Sequence, residues 1–153
     1  MKVVFISHRA LSIHGSTLRS MESDGHVFFV LDQTAEESVE ALRDWESENP
    51  PDLAVIEMLM ECRGETSNTM NFYNAGLWIY EQMRKLSIFQ NVPVIILLSD
   101  SENAEDRERV SAVGGAAGVM MVRMPVRGAL ALEDLMEAFA SNWQIMTDIF
   151  PLS

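Results

Sequence analysis

A chain of 153 residues that is 48% apolar and 22% charged has the bulk of one globular domain with a sizeable core. Its net charge of −12 argues against binding to nucleic-acid phosphates or anionic membrane surfaces, which call for clustered Lys and Arg, and reads as solubility by self-repulsion. There is no run of about 18 uncharged apolar residues, the apolar stretch after Met1-Lys2 is too short for a signal peptide, and the single Cys62 allows no internal disulfide, so a soluble protein of the reducing cytoplasm is expected.

The predicted elements alternate strand and helix. Val3–Ile6 is apolar and β-branched, a first strand. A first helix follows, with Leu11, Leu18 and Met21 on one face and Gly15 weakening its middle. Val27–Leu31 is the second strand. Thr34 and Glu37, three residues apart, form a capping box that opens a second helix carrying Val39, Leu42 and Trp45. After the turn at Pro50-Pro51, Leu53–Ile56 runs without alternation into Glu57, as a parallel strand buried on both faces does. Ala75, Ile79, Met83 and Leu86 place a third helix, and Val94–Leu98 is the fourth strand. A mostly polar helix from about Asn103 to Val113 ends at Gly114-Gly115, read as a C-cap pair. Val119–Val122 is the fifth strand. Leu132, Leu135, Met136, Phe139 and Trp143 define a fifth helix whose spacing continues to Met146 and Phe150, so it runs long or folds back.

Strands alternating with helices make βαβ units and a parallel sheet. The expected fold is α/β, a single flavodoxin-like (βα)5 domain with strand order 2-1-3-4-5 and helices on both faces. The domain is placed at 1–142, with a long loop insertion over 58–74 and a helical extension or tail over 143–153. Ligands of such sheets collect beyond the carboxyl ends of the strands at the switch point, here between strands one and three. His8 and Glu57 are expected to face each other there. The stretch from Met60 to Asn74 is long for a connection and reads either as a surface insertion or as a binding loop over Glu57.

Pro51-Asp52-Leu53-Ala54-Val55-Ile56-Glu57, Gly76-Leu77, Val92-Pro93-Val94-Ile95-Ile96-Leu97, Gly114-Gly115-Ala116 and Met124-Pro125-Val126 follow one another in an order and spacing that resembles the receiver (CheY-like) domain of two-component response regulators. The resemblance runs from about Lys2 to Ala140. It implies a phosphorylatable Asp ending strand three, a pair of acids after strand one for Mg²⁺, a Thr or Ser after strand four, and a Lys before the Pro after strand five.

At each of those positions this chain departs from the resemblance. Glu57 stands at the phosphoacceptor position, and Ser7 and His8, followed by Arg9, stand where the acid pair belongs. Leu98 falls at the Thr/Ser position, or Ser99 after a one-residue slip that flips the side chain's face. Met124 replaces the Lys, with Arg123 adjacent but alternating to the other face. No aromatic occupies Val119 to Met121, where the family places its rotameric switch. Ser and neutral His bring no charge for a hard cation, so Mg²⁺ binding is expected to be lost, and with it phosphorylation at Glu57.

Glu57 has three readings: a constitutive stand-in for a phosphorylated Asp, an ion pair with His8 or Arg9, or a solvated strand-end acid, with the ion pair preferred. A competing class is a small metal-binding protein or enzyme using His8 and Glu57 with Glu61 or Cys62, a set that suits Zn²⁺. Another is a receiver phosphorylated at a displaced acid such as Asp32 or Asp100, residues that otherwise cap the following helices. His14-Gly15-Ser16-Thr17 is not a flavin cradle, because that loop belongs directly after the first strand. Met58, Met60, Met120, Met121 and Met124 read as core filler or as an adaptable partner surface. The fourth helix, fifth strand and fifth helix, extended by Trp143, Ile145, Met146, Ile149 and Phe150, are the face implied for a partner or a homodimer. The expected function is a stand-alone, cytoplasmic pseudo-receiver, not an enzyme, that signals by binding another protein such as a histidine kinase or downstream effector.

Overall fold

The computed structural model describes residues 1–45, 49–63, 72–98, 107–123 and 132–149, with the backbone alone at positions 11, 107 and 144–149. In chain order the elements are β1 (Lys2–Ile6), α1 (Ala10–Ile13), α2 (Gly15–Ser23), β2 (Val27–Leu31), α3 (Ala35–Arg43), β3 (Leu53–Glu57), α4 (Ala75–Arg84), a 3-10 turn (Ser87–Phe89), β4 (Val94–Leu98), α5 (Arg107–Gly114), β5 (Val119–Arg123) and α6 (Leu132–Ile149). The five strands are parallel, in the expected order β2-β1-β3-β4-β5.

The unbroken apolar runs of β1, β3 and β4 are explained by helices on both faces. Val4, Ile6, Ala54, Ile56, Val94 and Ile96 point into a layer closed by Val39 and Leu42 of α3 and Ile79 and Met83 of α4. Val3, Phe5, Leu53, Val55, Ile95 and Leu97 point into the opposite layer, closed by Leu18 and Met21 of α2 and Leu132 and Met136 of α6. Each fully buried aliphatic side chain of this kind stabilises the fold by about 1.5–3 kcal/mol.

Local signals explain the helix ends. Thr34 caps α3, its Oγ1 accepting from the Glu37 amide at 3.3 Å as the capping box requires. The first predicted helix is split at His14 into α1 and α2. α2 ends in a Schellman motif: Gly25 N–H donates to Glu22 O and His26 N–H to Met21 O, with Gly25 at φ 94°. α5 ends at Gly114, as the Gly114-Gly115 pair predicts, without a left-handed residue there. The described glycines with positive φ are Gly25 and Gly118. Asp32 does not cap α3 either, since Thr34 holds that position.

Of the two expectations for α6, it runs long: it continues unbroken to Ile149, into the segment read as a helical extension or tail. Trp143 belongs to the body of the fold. Its Nε1–H donates to Asn91 O at 3.0 Å, and a Cβ on Gly118 would meet its ring at 3.0 Å.

Candidate functional site at the mouth of the sheet

Ser7 and Glu57 meet because the strand register brings them together. Ile6 pairs with Ile56, so the next residues, Ser7 and Glu57, extend the ladder side by side. Alternation gives both the face of Val3, Phe5 and Val55. Ser7 is fully buried and Glu57 is 8% exposed. The Ser7 hydroxyl donates to Glu57 Oε2, and its oxygen accepts the Arg9 amide at 3.2 Å.

Arg9, two residues on, returns to the same side. Its Nη2 donates to Glu57 Oε1 at 2.6 Å, so each carboxylate oxygen has its own donor. Of the two partners expected for Glu57, Arg9 makes the ion pair. His8 lies between them in sequence and turns away, its ring 5.8 Å from that of Phe72. In place of the expected His8, Ser7 and Arg9 hold the Glu57 carboxylate. Among the described residues, the buried His8 Nδ1 and Arg9 Nε have no hydrogen-bond partner.

Behind this pair sits His14, which in the sequence stands out only as part of a rejected flavin cradle. It is 4% exposed, with its ring 5.2 Å from Phe5. Burial pushes its pKa below the ordinary value; the Glu57 charge opposes that shift and the Arg9 charge reinforces it. A signal for its burial is present in the sequence. Ala10, His14, Leu18 and Met21 fall at helical spacing, and the other three are buried.

The backbone after β3 is equally constrained. Met58 and Met60 are buried in the α3/α4 layer and serve as core, while Met120 and Met121 are half-buried on opposite faces of β5. Gly76 N–H donates to Met58 O at 2.9 Å, and a Cβ at Gly76 would lie 2.4 Å from Glu57 O. The long connection leaves and returns at one point, where Met60 N–H donates to Phe72 O. It is also tied to the start of α3. Ala35 N–H donates to Glu61 O at 2.8 Å, and Arg63 bonds the carboxylates of Glu36 and Glu37.

The remaining sequence candidates are dispersed. Leu98 is buried in the α3/α4 layer, on the face opposite Glu57, and Arg123 is paired with it in register at the end of β5. Ser99, Asp100 and Met124 lie outside the described residues. Asp32 is exposed beyond β2, and Cys62 packs half-buried against the α3/α4 layer. Among the described residues no three His, Cys, Asp or Glu side chains are placed to share a metal ion, so His8, Glu57, Glu61 and Cys62 are not gathered into a Zn²⁺ site.

Mg²⁺ requires about six oxygen donors in near-octahedral geometry, with carboxylates among them. At Glu57 both carboxylate oxygens are engaged, one by a hydroxyl and one by a guanidinium. That positive group stands 2.6 Å from the oxygen a cation would need, and the donor set does not fit the ion.

A parallel β2-β1-β3-β4-β5 sheet with helices on both faces and a carboxylate at the β3 mouth defines a flavodoxin-like domain. Among solved structures, this fold is that of response-regulator receiver domains. The chain is similar to the CheY-like receiver domain protein of Methanospirillum hungatei JF-1, at 18% identity over 97% of each chain with a TM-score of 0.61. It is similar to a receiver domain protein of Clostridium thermocellum, at 17% identity over 97% of each chain with a TM-score of 0.62. It is also similar to the receiver domain of a Pseudomonas aeruginosa PAO1 sensor histidine kinase, which has a magnesium ion coordinated in its active site cleft. There the identity is 12%, over 93% of this chain and 95% of that one, with a TM-score of 0.59. No family model matches the chain. No curated protein matches it either.

Proposed function

We propose that this domain is an atypical receiver that signals by binding another protein and is not phosphorylated at Glu57. The observation that carries this reading is the occupancy of both Glu57 oxygens by Arg9 and Ser7. A phosphoacceptor needs a carboxylate free to attack and a divalent cation to offset the charge of the transferring group. An internal guanidinium supplies a fixed positive charge instead, and Mg²⁺ binding is lost. The receiver fold of the structural neighbours supports a place in two-component signalling, as a docking module without catalytic turnover. A histidine kinase or a downstream effector is the proposed partner, met on the face of α5, β5 and α6. No described helix is long and apolar enough to cross a membrane, which accords with the proposed cytoplasmic location.

Incubation with acetyl phosphate and Mg²⁺, read by intact mass, tests the reading. The expected result is no added phosphoryl group, together with tryptophan fluorescence unmoved by beryllofluoride and Mg²⁺. A phosphoryl group mapped to Glu57 would end it, and one mapped to Asp32 or Asp100 would move the acceptor instead. Stoichiometric Zn²⁺ in the purified protein would favour a metal-binding function.

A further inference from the structure

β2 is an edge strand, and among the described residues no strand pairs with its outer side. Val27 N–H donates to Met1 O and Leu31 O accepts from Ser7 N–H, both at 3.0 Å. Residues 27, 29 and 31 therefore direct their backbone groups toward β1. By alternation Phe28 and Val30 direct theirs outward. Among the described residues, nothing bonds those outward groups.

The strand reads Val-Phe-Phe-Val-Leu, with no charge, proline or glycine. Exposed edges are ordinarily guarded by one of these or by a covering element. Val27 is 49% exposed and Phe29 is 41% exposed, although β1, β3 and β4 are closed on both faces. Phe29 also touches the half-buried Trp45, its ring 5.1 Å away, so the apolar patch continues off the strand.

We infer that this edge pairs with a second copy of the chain, β2 against β2 antiparallel, about a two-fold axis at Phe29. The strand is self-complementary about that residue. The outward positions, Phe28 and Val30, are equidistant from Phe29, so each meets the other across the axis and the two copies exchange four backbone hydrogen bonds. Phe29 of one copy stands opposite Phe29 of the other at a non-hydrogen-bonded position, where side chains approach most closely. Exposed Val27 lies opposite Leu31. Each copy carries a net charge of −12, and an uncharged strand is where two such bodies meet with least repulsion.

Sedimentation of the full chain over a range of concentrations tests the pairing. The wild type is expected to dimerise. Val30→Pro removes a donor that no described residue accepts and that the edge of a sheet tolerates losing. It should raise the dimer dissociation constant by about tenfold or more, since each copy loses one intermolecular bond. Phe29→Lys should do the same, and it decides the matter if the proline variant fails to fold. In a Cys62→Ser background, Phe29→Cys should form a disulfide-linked dimer under mild oxidant. A chain that stays monomeric overturns the proposal. So does a dimer that both variants leave intact, which would place the contact elsewhere, with the α5, β5 and α6 face the first alternative. Neither result bears on whether Glu57 accepts a phosphoryl group.

Discussion

Arg9 Nη2 lies 2.6 Å from Glu57 Oε1, joining the turn after β1 to the last residue of β3 across the switch point of the sheet. The Glu57 side chain is 10% exposed and that of Arg9 is 39% exposed, so the carboxylate is held by a cation that reaches in from the surface.

Removing the cation leaves a nearly buried carboxylate with the Ser7 hydroxyl as its remaining partner. Arg9→Met is expected to destabilise the fold by about 1–2 kcal/mol. That is less than the about 3–5 of a wholly buried pair, because solvent screens the guanidinium. Chemical denaturation measures it. A double-mutant cycle with Glu57→Gln should show coupling, since the two residues share one network; additive losses would mean that the pair contributes nothing of its own.

Gly76→Ala is expected to cost at least about 3 kcal/mol. Its Cβ would lie 2.4 Å from Glu57 O and 2.5 Å from Met58 Cα. Both neighbours are backbone, so neither gives way by a rotamer change, and the strand end that presents Glu57 must move. Thermal unfolding of the purified variant is the measurement, and a melting temperature equal to wild type would refute the close approach.

Ser38 is fully buried on α3, and its hydroxyl has no hydrogen-bond partner among the described residues. Burying a hydroxyl without compensation is unfavourable, and Ala is the better helix former. Ser38→Ala should therefore stabilise the domain by about 1 kcal/mol. A shift of the denaturation midpoint to higher denaturant, at an unchanged slope, is the expected reading.

His14 has a folded-state pKa below the ordinary 6.5, chiefly because it is buried. In the window between the folded value and 6.5, the unfolded chain binds the proton more readily than the fold does. The contribution of His14 to stability is therefore complete above 6.5 and is lost as pH falls through that window. Denaturation midpoints measured from about pH 8 to about pH 5 should decline, and His14→Leu should flatten the decline. The difference between the two curves isolates His14 from the other histidines and from the facing charges of Glu57 and Arg9. Parallel curves would show that His14 is not buried as neutral imidazole.

The strands were legible in the sequence as apolar runs, which β3 and β4 need because they are covered on both faces. Val27–Leu31 and Val94–Leu98 keep the bounds that their apolar runs predict, and Leu53–Ile56 gains only Glu57. Thr34 and Glu37 marked the start of α3 because a capping box is closed within four residues. Glu57 at the mouth was legible from its place at the end of a buried run. Local chemistry and hydrophobic period were enough, without any tertiary contact, to determine alternating elements and a parallel sheet; the departures at Ser7, His8 and Glu57 were legible only through the resemblance to receiver domains.

The tertiary structure decided the rest, because the rest depends on pairings distant in the chain. Whether His8 or Arg9 reached Glu57 was set by the Ile6–Ile56 register and the turn that follows β1, where the imidazole packs against Phe72 and the guanidinium bonds the carboxylate. His14 became an interior residue only when its helix face was laid against Phe5. Met58 and Met60 became core when α3 and α4 closed over them. The place of β2 at the edge arises from strand order alone: in the centre of the sheet the same Val-Phe-Phe-Val-Leu run would have had both sides of its backbone paired.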